Sequence, residues 1–351
     1  MPTRRFAFIF NLILMLALLL AGLQAGTAPV QAAQPGGGQT GLDVNSLVNL
    51  DGTLKHTAQS GNLDLTGWNI RLDPQSGPVF LPAAATTYGW RPVGTGSELD
   101  SYVYAVAISG TNTYVAGSFT TLTGCPKCAK IAMWDGSTWS PVGWGINTIA
   151  TESIKSISIV GSDIYVAGSF RSTTQTDGTF CTDCFSVAKW DGSSWLPLGK
   201  GTNKTLIAVV AAGTDVYVAG DFTAAIQTDS TLCTTCNGIA KWNGSSWEGL
   251  GQGADGAPQF YALASDGTNI YAGGTFVQTI QADGTFCTNC NRIAKWNGTT
   301  WEGLATGINS GDVRAFAISG TKLYAGGLFS FISTCSIPVY CNRIAVWDGT
   351  S

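Results

Sequence analysis

The chain has 351 residues, 11% of them charged, with 45 Gly, 12 Trp, 10 Cys, a single His and a net charge of −4, whereas soluble domains carry about a quarter charged residues. One imidazole leaves little room for acid–base triads or for zinc and copper centres, which lean on histidine. The length suits one large unit or two smaller ones, and an all-β unit can run past ~200 residues undivided.

Residues 1–33 open on Arg4 and Arg5 and continue as an apolar run from Phe6 to Leu20 broken only by Asn11. They end on small residues, with Val30-Gln31-Ala32 as a cleavage signature. That order predicts a secretory signal peptide. The run is about 15 residues, short of the ~20 that a membrane-spanning helix needs, so an uncleaved anchor is the lesser alternative and no stable span is expected after cleavage. The first cysteine is Cys125, which leaves no acylated lipoprotein start. Without residues 1–33 there are 16 basic against 22 acidic residues, a net of −6, a balance that speaks against nucleic acid and anionic membranes. Residues 34–87 read as a flexible linker, AQPGGGQTG, followed by a short β segment, LDLTGWNIRL around Trp68. His56 lies in this polar stretch and reads as solvent-exposed.

From residue 88 the chain repeats. Trp-Asp-Gly or Trp-Asn-Gly occurs five times, at Trp134, Trp190, Trp242, Trp296 and Trp347, and a second Trp follows the first four at Trp139, Trp195, Trp247 and Trp301. A copy lacking its upstream half stands at Trp90. The period is near fifty residues, and each period holds four β-type runs. In the first full copy these are VYAVAIS from Val103, TYVAGSF from Thr113, KIAMW from Lys130 and WSPVG from Trp139. Four short strands per ~50 residues, with no amphipathic helical stretch, predict an all-β propeller of about five four-stranded blades. Pro92, Pro141 and Pro197 fall at the third position of strand four, which places that strand on a blade's outer edge. The last copy ends after strand three and the first has only strand four, so the strand near Trp90 is expected to complete the C-terminal blade and close the ring. The alternative is a segment of a longer array.

All ten cysteines fall in pairs between strands two and three: Cys125 with Cys128, Cys181 with Cys184, Cys233 with Cys236, Cys287 with Cys290, and the wider pair Cys335 with Cys341. In an exported chain an even count with no remainder reads as a disulfide framework. Zinc would need two such pairs together, and redox exchange would need an activated thiolate; both readings stay open as minor alternatives.

The second-strand doublets Gly273-Gly274 and Gly326-Gly327, their Ala-Gly counterparts at 116–117, 167–168 and 219–220, and the following Trp resemble Kelch-like secreted bacterial β-propeller repeat proteins of the galactose oxidase central-domain-like superfamily. The resemblance covers roughly residues 88–351 and implies architecture rather than activity. Two departures stand beside it. Tyr165, Tyr217, Tyr271 and Tyr324 precede the doublet instead of following it, and His56 alone cannot supply a copper-radical ligand set. No cofactor or metal is expected.

Connections one-to-two and three-to-four are short and uniform, whereas two-to-three and four-to-one are long and varied, and strand alternation puts the long pair on one face. Varied loops on a rigid scaffold are where propellers bind. The candidate ligand contacts on this face are Trp144, Phe180, Phe286, Asp177 and Asp283. The last two also suit plain hairpin turns or, less simply, calcium. The repeat tryptophans read as packing, and Asn243-Gly-Ser and Asn297-Gly-Thr as turns rather than glycosylation sites. The functional expectation is an exported, non-catalytic propeller that binds an extracellular protein or glycan. Two alternatives stand: a polysaccharide-acting enzyme using carboxylates among Asp177, Asp255, Asp283 and Asp312, and a structural cell-envelope repeat protein.

Overall fold

The computed structural model describes residues 42–43, 63–64, 68–73, 77–82, 93, 99–146, 151–255, 259–330 and 342–349. The chain divides into two compact units, one made of Gly26–Val93 and the other containing Gly94–Ser351. In the smaller unit Trp68–Asp73 pairs antiparallel with Gly77–Pro82, and Leu42–Asp43 runs parallel to Leu63–Asp64. The expected strand around Trp68 is the first arm of that hairpin.

The larger unit is a five-blade β-propeller built from antiparallel sheets. Blade one contains Val103–Ser109, Asn112–Gly117, Ile131–Trp134 and Trp139–Pro141, hydrogen-bonded in that order, so strand four is the outer edge that its prolines imply. Blade two is Ser153–Val160, Asp163–Ser169, Val187–Trp190 and Trp195–Pro197, and blade three is Leu206–Ala212, Asp215–Gly220, Ile239–Trp242 and Trp247–Gly249. Blade four is Phe260–Ser265, Ile270–Gly274, Ile293–Trp296 and Trp301–Gly303. Blade five has three described strands, Val313–Ser319, Lys322–Gly327 and Ile344–Trp347. The Trp90 strand expected to close the ring lies outside the described residues, as do His56, Cys335 and Cys341.

Two tryptophans face each other across strands three and four of each full blade. Trp134 pairs with Trp139, Trp190 with Trp195, Trp242 with Trp247 and Trp296 with Trp301, with ring centroids 5.2 to 5.4 Å apart. The second member is the inter-blade wedge. Trp195, Trp247 and Trp301 are buried, and the indole N–H groups of Trp247 and Trp301 donate to the Leu198 and Leu250 carbonyls of the preceding blade at 3.0 and 2.8 Å. A buried indole usually takes such a partner, whereas the equally buried Trp195 N–H has no acceptor within hydrogen-bond geometry. Apolar clusters lie between neighbouring blades, as where Ile131 and Val142 of blade one meet Ile164, Val166 and Trp195 of blade two. Inner strands are also knitted by side chains: the Ser156 and Ser158 hydroxyls accept the Val209 and Ala211 backbone N–H groups of blade three.

The glycine that ends each second-strand doublet has a steric cause. A Cβ on Gly117, Gly168, Gly220, Gly274 or Gly327 would fall 1.8 to 2.4 Å from the carbonyl oxygen of Tyr102, Ser153, Thr205, Gln259 or Asp312. Only glycine permits that approach. Beside it the inner strand bulges, its register shifting by one residue at Tyr104, Lys155, Ile207, Tyr261 and Arg314. Such a bulge bends the strand and increases its twist.

Candidate binding face

In blades two to four the connection between strands two and three forms a finger. Thr173–Thr174 pairs with Phe180–Cys181 in blade two and Ala225–Ile226 with Leu232–Cys233 in blade three, and Ile280 bridges Phe286 in blade four. An aspartate makes each tip. Asp177 Oδ1 accepts the Thr179 N–H and hydroxyl at 2.9 and 2.7 Å, and Asp229 with Thr231 and Asp283 with Thr285 repeat the arrangement. The threonine hydroxyls hold these three carboxyls below the ordinary aspartate range, so they stay ionised. Asp177 and Asp283 thus cap their own turns through Oδ1 while staying exposed.

Each finger is fixed at several points. The Gln175 amide donates to the Trp195 carbonyl at 2.8 Å and accepts the Trp195 N–H at 2.7 Å, and Gln227 and Gln281 grip Trp247 and Trp301 identically. The exit loop of the preceding blade adds a backbone pair: Thr174, Ile226 and Ile280 donate to the Gly145, Gly201 and Gly253 carbonyls and accept from the Trp144, Lys200 and Gln252 N–H groups. The four-to-one and two-to-three connections therefore meet on one face, as strand alternation implies.

Side chains from the same exit loops brace the tips. Trp144 lies so close that a Cβ on Gly178 would fall 2.9 Å from its ring, Lys200 Nζ donates to the Ser230 hydroxyl at 2.9 Å, and Gln252 donates to the Ala282 carbonyl at 3.3 Å. Lys127 Nζ sits 3.3 Å over the Trp144 ring. Trp144 is half-buried and occupies the brace position of its blade, a role that its place outside the repeat tryptophans does not reveal.

At the base, Cys125 and Cys128, Cys181 and Cys184, Cys233 and Cys236, and Cys287 and Cys290 stand at disulfide distance, with Cα atoms 5.4 to 5.5 Å apart. Four such pairs fit an oxidising environment. The fifth expected disulfide, Cys335 with Cys341, is not among them, because Cys341 and Cys335 both fall outside the described residues. The spacing of that pair also departs from the other four: Cys341 follows Cys335 by six residues, whereas the observed pairs are three residues apart. Blade one has the cysteine pair but no finger hairpin before it.

The fingers leave one apolar side chain outside. Phe180, Leu232 and Phe286, each immediately before its first cysteine, are 60%, 58% and 56% exposed. They face solvent. Leu232 escapes a search for aromatic contacts, although its place before Cys233 matches Phe180 and Phe286. The glutamine grip was likewise open to discovery, because Gln175, Gln227 and Gln281 each stand six residues before the first cysteine.

The other carboxylates weighed for catalysis are dispersed. Asp312, 6% exposed, is held by Arg314, whose Nε and Nη2 donate to its Oδ2 at 3.0 and 2.8 Å. Asp255 lies on the exit loop after blade three, where its N–H donates to the Gln278 carbonyl. Among the described residues no group of three or more His, Cys, Asp or Glu side chains could hold a metal ion. A buried polar pair that no motif marks lies near the first inter-blade seam. Lys130 is fully buried and donates to the Ser118 carbonyl at 3.0 Å, and Glu152 is 5% exposed beside the Arg171 backbone. Burial pushes the Glu152 carboxyl up, with Arg171 and Lys130 pulling the other way.

No family model matches the chain, and no curated protein matches it. Solved structures do. The computationally designed Ika8 protein is 12% identical with a TM-score of 0.43, over 71% of this chain and 59% of its own. YCF48 bound to D1 peptide is 13% identical with a TM-score of 0.37, over 76% of this chain and 65% of its own. The WD40 β-propeller domain of Doa1 is 10% identical with a TM-score of 0.38, over 67% of each chain. This chain thus spans less than two thirds of the length of Ika8 and of YCF48. The likeness concerns fold alone.

Proposed function

We propose that the chain is an exported, non-catalytic β-propeller of the Kelch-like kind that presents a disulfide-closed loop face for binding a protein or glycan outside the cytoplasm. The observation that carries this reading is the finger itself, which recurs in three consecutive blades, is gripped by glutamine and braced from the neighbouring blade, and leaves an apolar side chain exposed beside its first cysteine. Rigid, repeated display of apolar surface fits recognition, because binding loses less entropy when the contact groups are already ordered. The signal-like N-terminus and the paired cysteines support export and oxidation. The Gly doublets support the Kelch-like affinity.

The test replaces the fingers of blades two to four with the shorter Cys125–Cys128 connection of blade one and screens the chain and the variant against a glycan array and a panel of purified secreted proteins. Ligands held by the parent and lost by a variant that still folds as a β-propeller at the assay temperature, shown by its circular dichroism, are expected. Retention of every ligand by the fingerless variant would overturn the reading.

A further inference from the structure

The fingers define a chemistry as well as a place. Each tip carries an ionised aspartate three residues before its exposed apolar side chain, as Asp177 with Phe180, Asp229 with Leu232 and Asp283 with Phe286, and Asp183 adds a fourth exposed carboxylate. Segments 173–184, 225–236 and 279–290 contain no Lys or Arg. Two lysines stand beside the row, Lys127 over the Trp144 ring and Lys200 on the Ser230 hydroxyl, where its charge also acts on Asp229; Asp177 and Asp283 have no ion pair with a lysine or arginine among the described residues. The face therefore repeats one unit, an apolar group beside a negative charge, at an interval of one blade.

Leu232 in the middle of the row decides between partner classes. Sugar rings are held by stacking on aromatic faces, and leucine has none, whereas Phe, Leu and Phe all offer apolar surface that another polypeptide can bury. The carboxylates disfavour an anionic membrane and a second copy docked through the same face, because like charges would meet. Complementarity requires apolar groups interspersed with cations. We propose that the finger row of blades two to four docks a polypeptide segment in which apolar residues are interspersed with basic ones. This rests on the binding role above and names the partner's chemistry.

The test uses the full-length exported, oxidised chain and three labelled dodecapeptides, alternating Lys/Leu, Glu/Leu and Lys/Ser, with fluorescence anisotropy as the readout. The Lys/Leu peptide is expected to bind at least roughly tenfold more tightly than either counterpart, and added salt is expected to weaken it. The combined Phe180→Ser, Leu232→Ser and Phe286→Ser variant is expected to lose at least roughly tenfold of that affinity at an unchanged melting temperature, since these side chains are already in water. Lys/Leu binding that survives in this variant would overturn the proposal, as would equal binding of Glu/Leu. Failure of all three peptides, or a finger-dependent attachment to phosphatidylcholine vesicles instead, would overturn it too. A glycan or protein ligand lost only in the fingerless variant would then leave the broader binding role standing.

Discussion

At the turn between strands three and four, the residue after the first tryptophan is matched to its neighbour on strand four. Asn243 caps the Ser245 and Ser246 N–H groups through Oδ1 while its Nδ2 donates to Glu248 at 2.6 Å, and Asn297 does the same beside Glu302. Where the turn residue is Asp135 or Asp191, the corresponding strand-four position is Ser140 or Leu196. An aspartate beside Glu248 would lose the amide donor and add a like charge. Asn243→Asp is therefore expected to destabilise the chain by about 1–2 kcal/mol at neutral pH in urea unfolding. Lys241, 2.7 Å from Glu248, holds that carboxyl below its ordinary value of 4.5. The stabilisation from Glu248 is thus present above that value and lost as pH falls through the folded one, and the penalty of the variant shrinks over the same range. Glu152 has the opposite sign. Its folded carboxyl titrates above 4.5, so below that pH it costs nothing, and stability falls as pH rises and the unfolded chain ionises first. Glu152→Gln is expected to stabilise the chain at pH 7 and to change nothing at pH 4, read from paired denaturation curves.

At the scale of the element, the finger is held by three independent devices, so removing one should loosen it without unfolding the blade. Replacing Cys181 and Cys184 together by Ala opens a very short loop, whose closure entropy is about 2 kcal/mol. The variant is expected to lose up to that much stability while the Gln175 grip keeps the hairpin. Amide exchange should then rise between residues 174 and 181 and remain unchanged in strands Val187–Trp190 and Trp195–Pro197. Spread of the exchange into those strands would show that the cysteine pair supports the blade and not the finger alone. The strands themselves were legible because alternation, Pro141, Pro197 and the Trp pairs all mark the same edge. The finger was only partly so. Phe180 and Phe286 stand out as aromatics, whereas Leu232 is equivalent by position, and Trp144 declares its packing only once Gly178 of the next blade is beside it.

At the scale of the whole molecule, the fifty-residue period determines blade count, strand order and the segregation of long connections to one face, because each blade must bury the same apolar surfaces against its neighbours. Features set by the backbone stay hidden from pattern. Lys130, Ser186, Arg292 and Arg343 all adopt φ between 58° and 67° just before strand three, where Gly238 takes 74°. Four residues that ordinarily avoid this region thus share one conformation. Their N–H groups donate to the Phe119, Phe170, Phe276 and Phe329 carbonyls, and their own carbonyls accept from the second-strand glycines. Only Gly238 hints at the bend from sequence. Ser186→Gly relieves the strain that blade three has already removed, and a gain of up to about 1 kcal/mol is expected in thermal unfolding.

The proposal that joins these scales is that the chain is exported and its cysteines are oxidised in pairs, as the four pairs at disulfide distance support. Its most direct test is the intact mass of the protein recovered from the culture medium, denatured and alkylated with and without prior reduction. The account predicts a chain shortened by the N-terminal signal segment, no alkylation before reduction and ten additions after it, one for each cysteine. Free thiols before reduction, or a full-length chain retained in the cytoplasm, would contradict it.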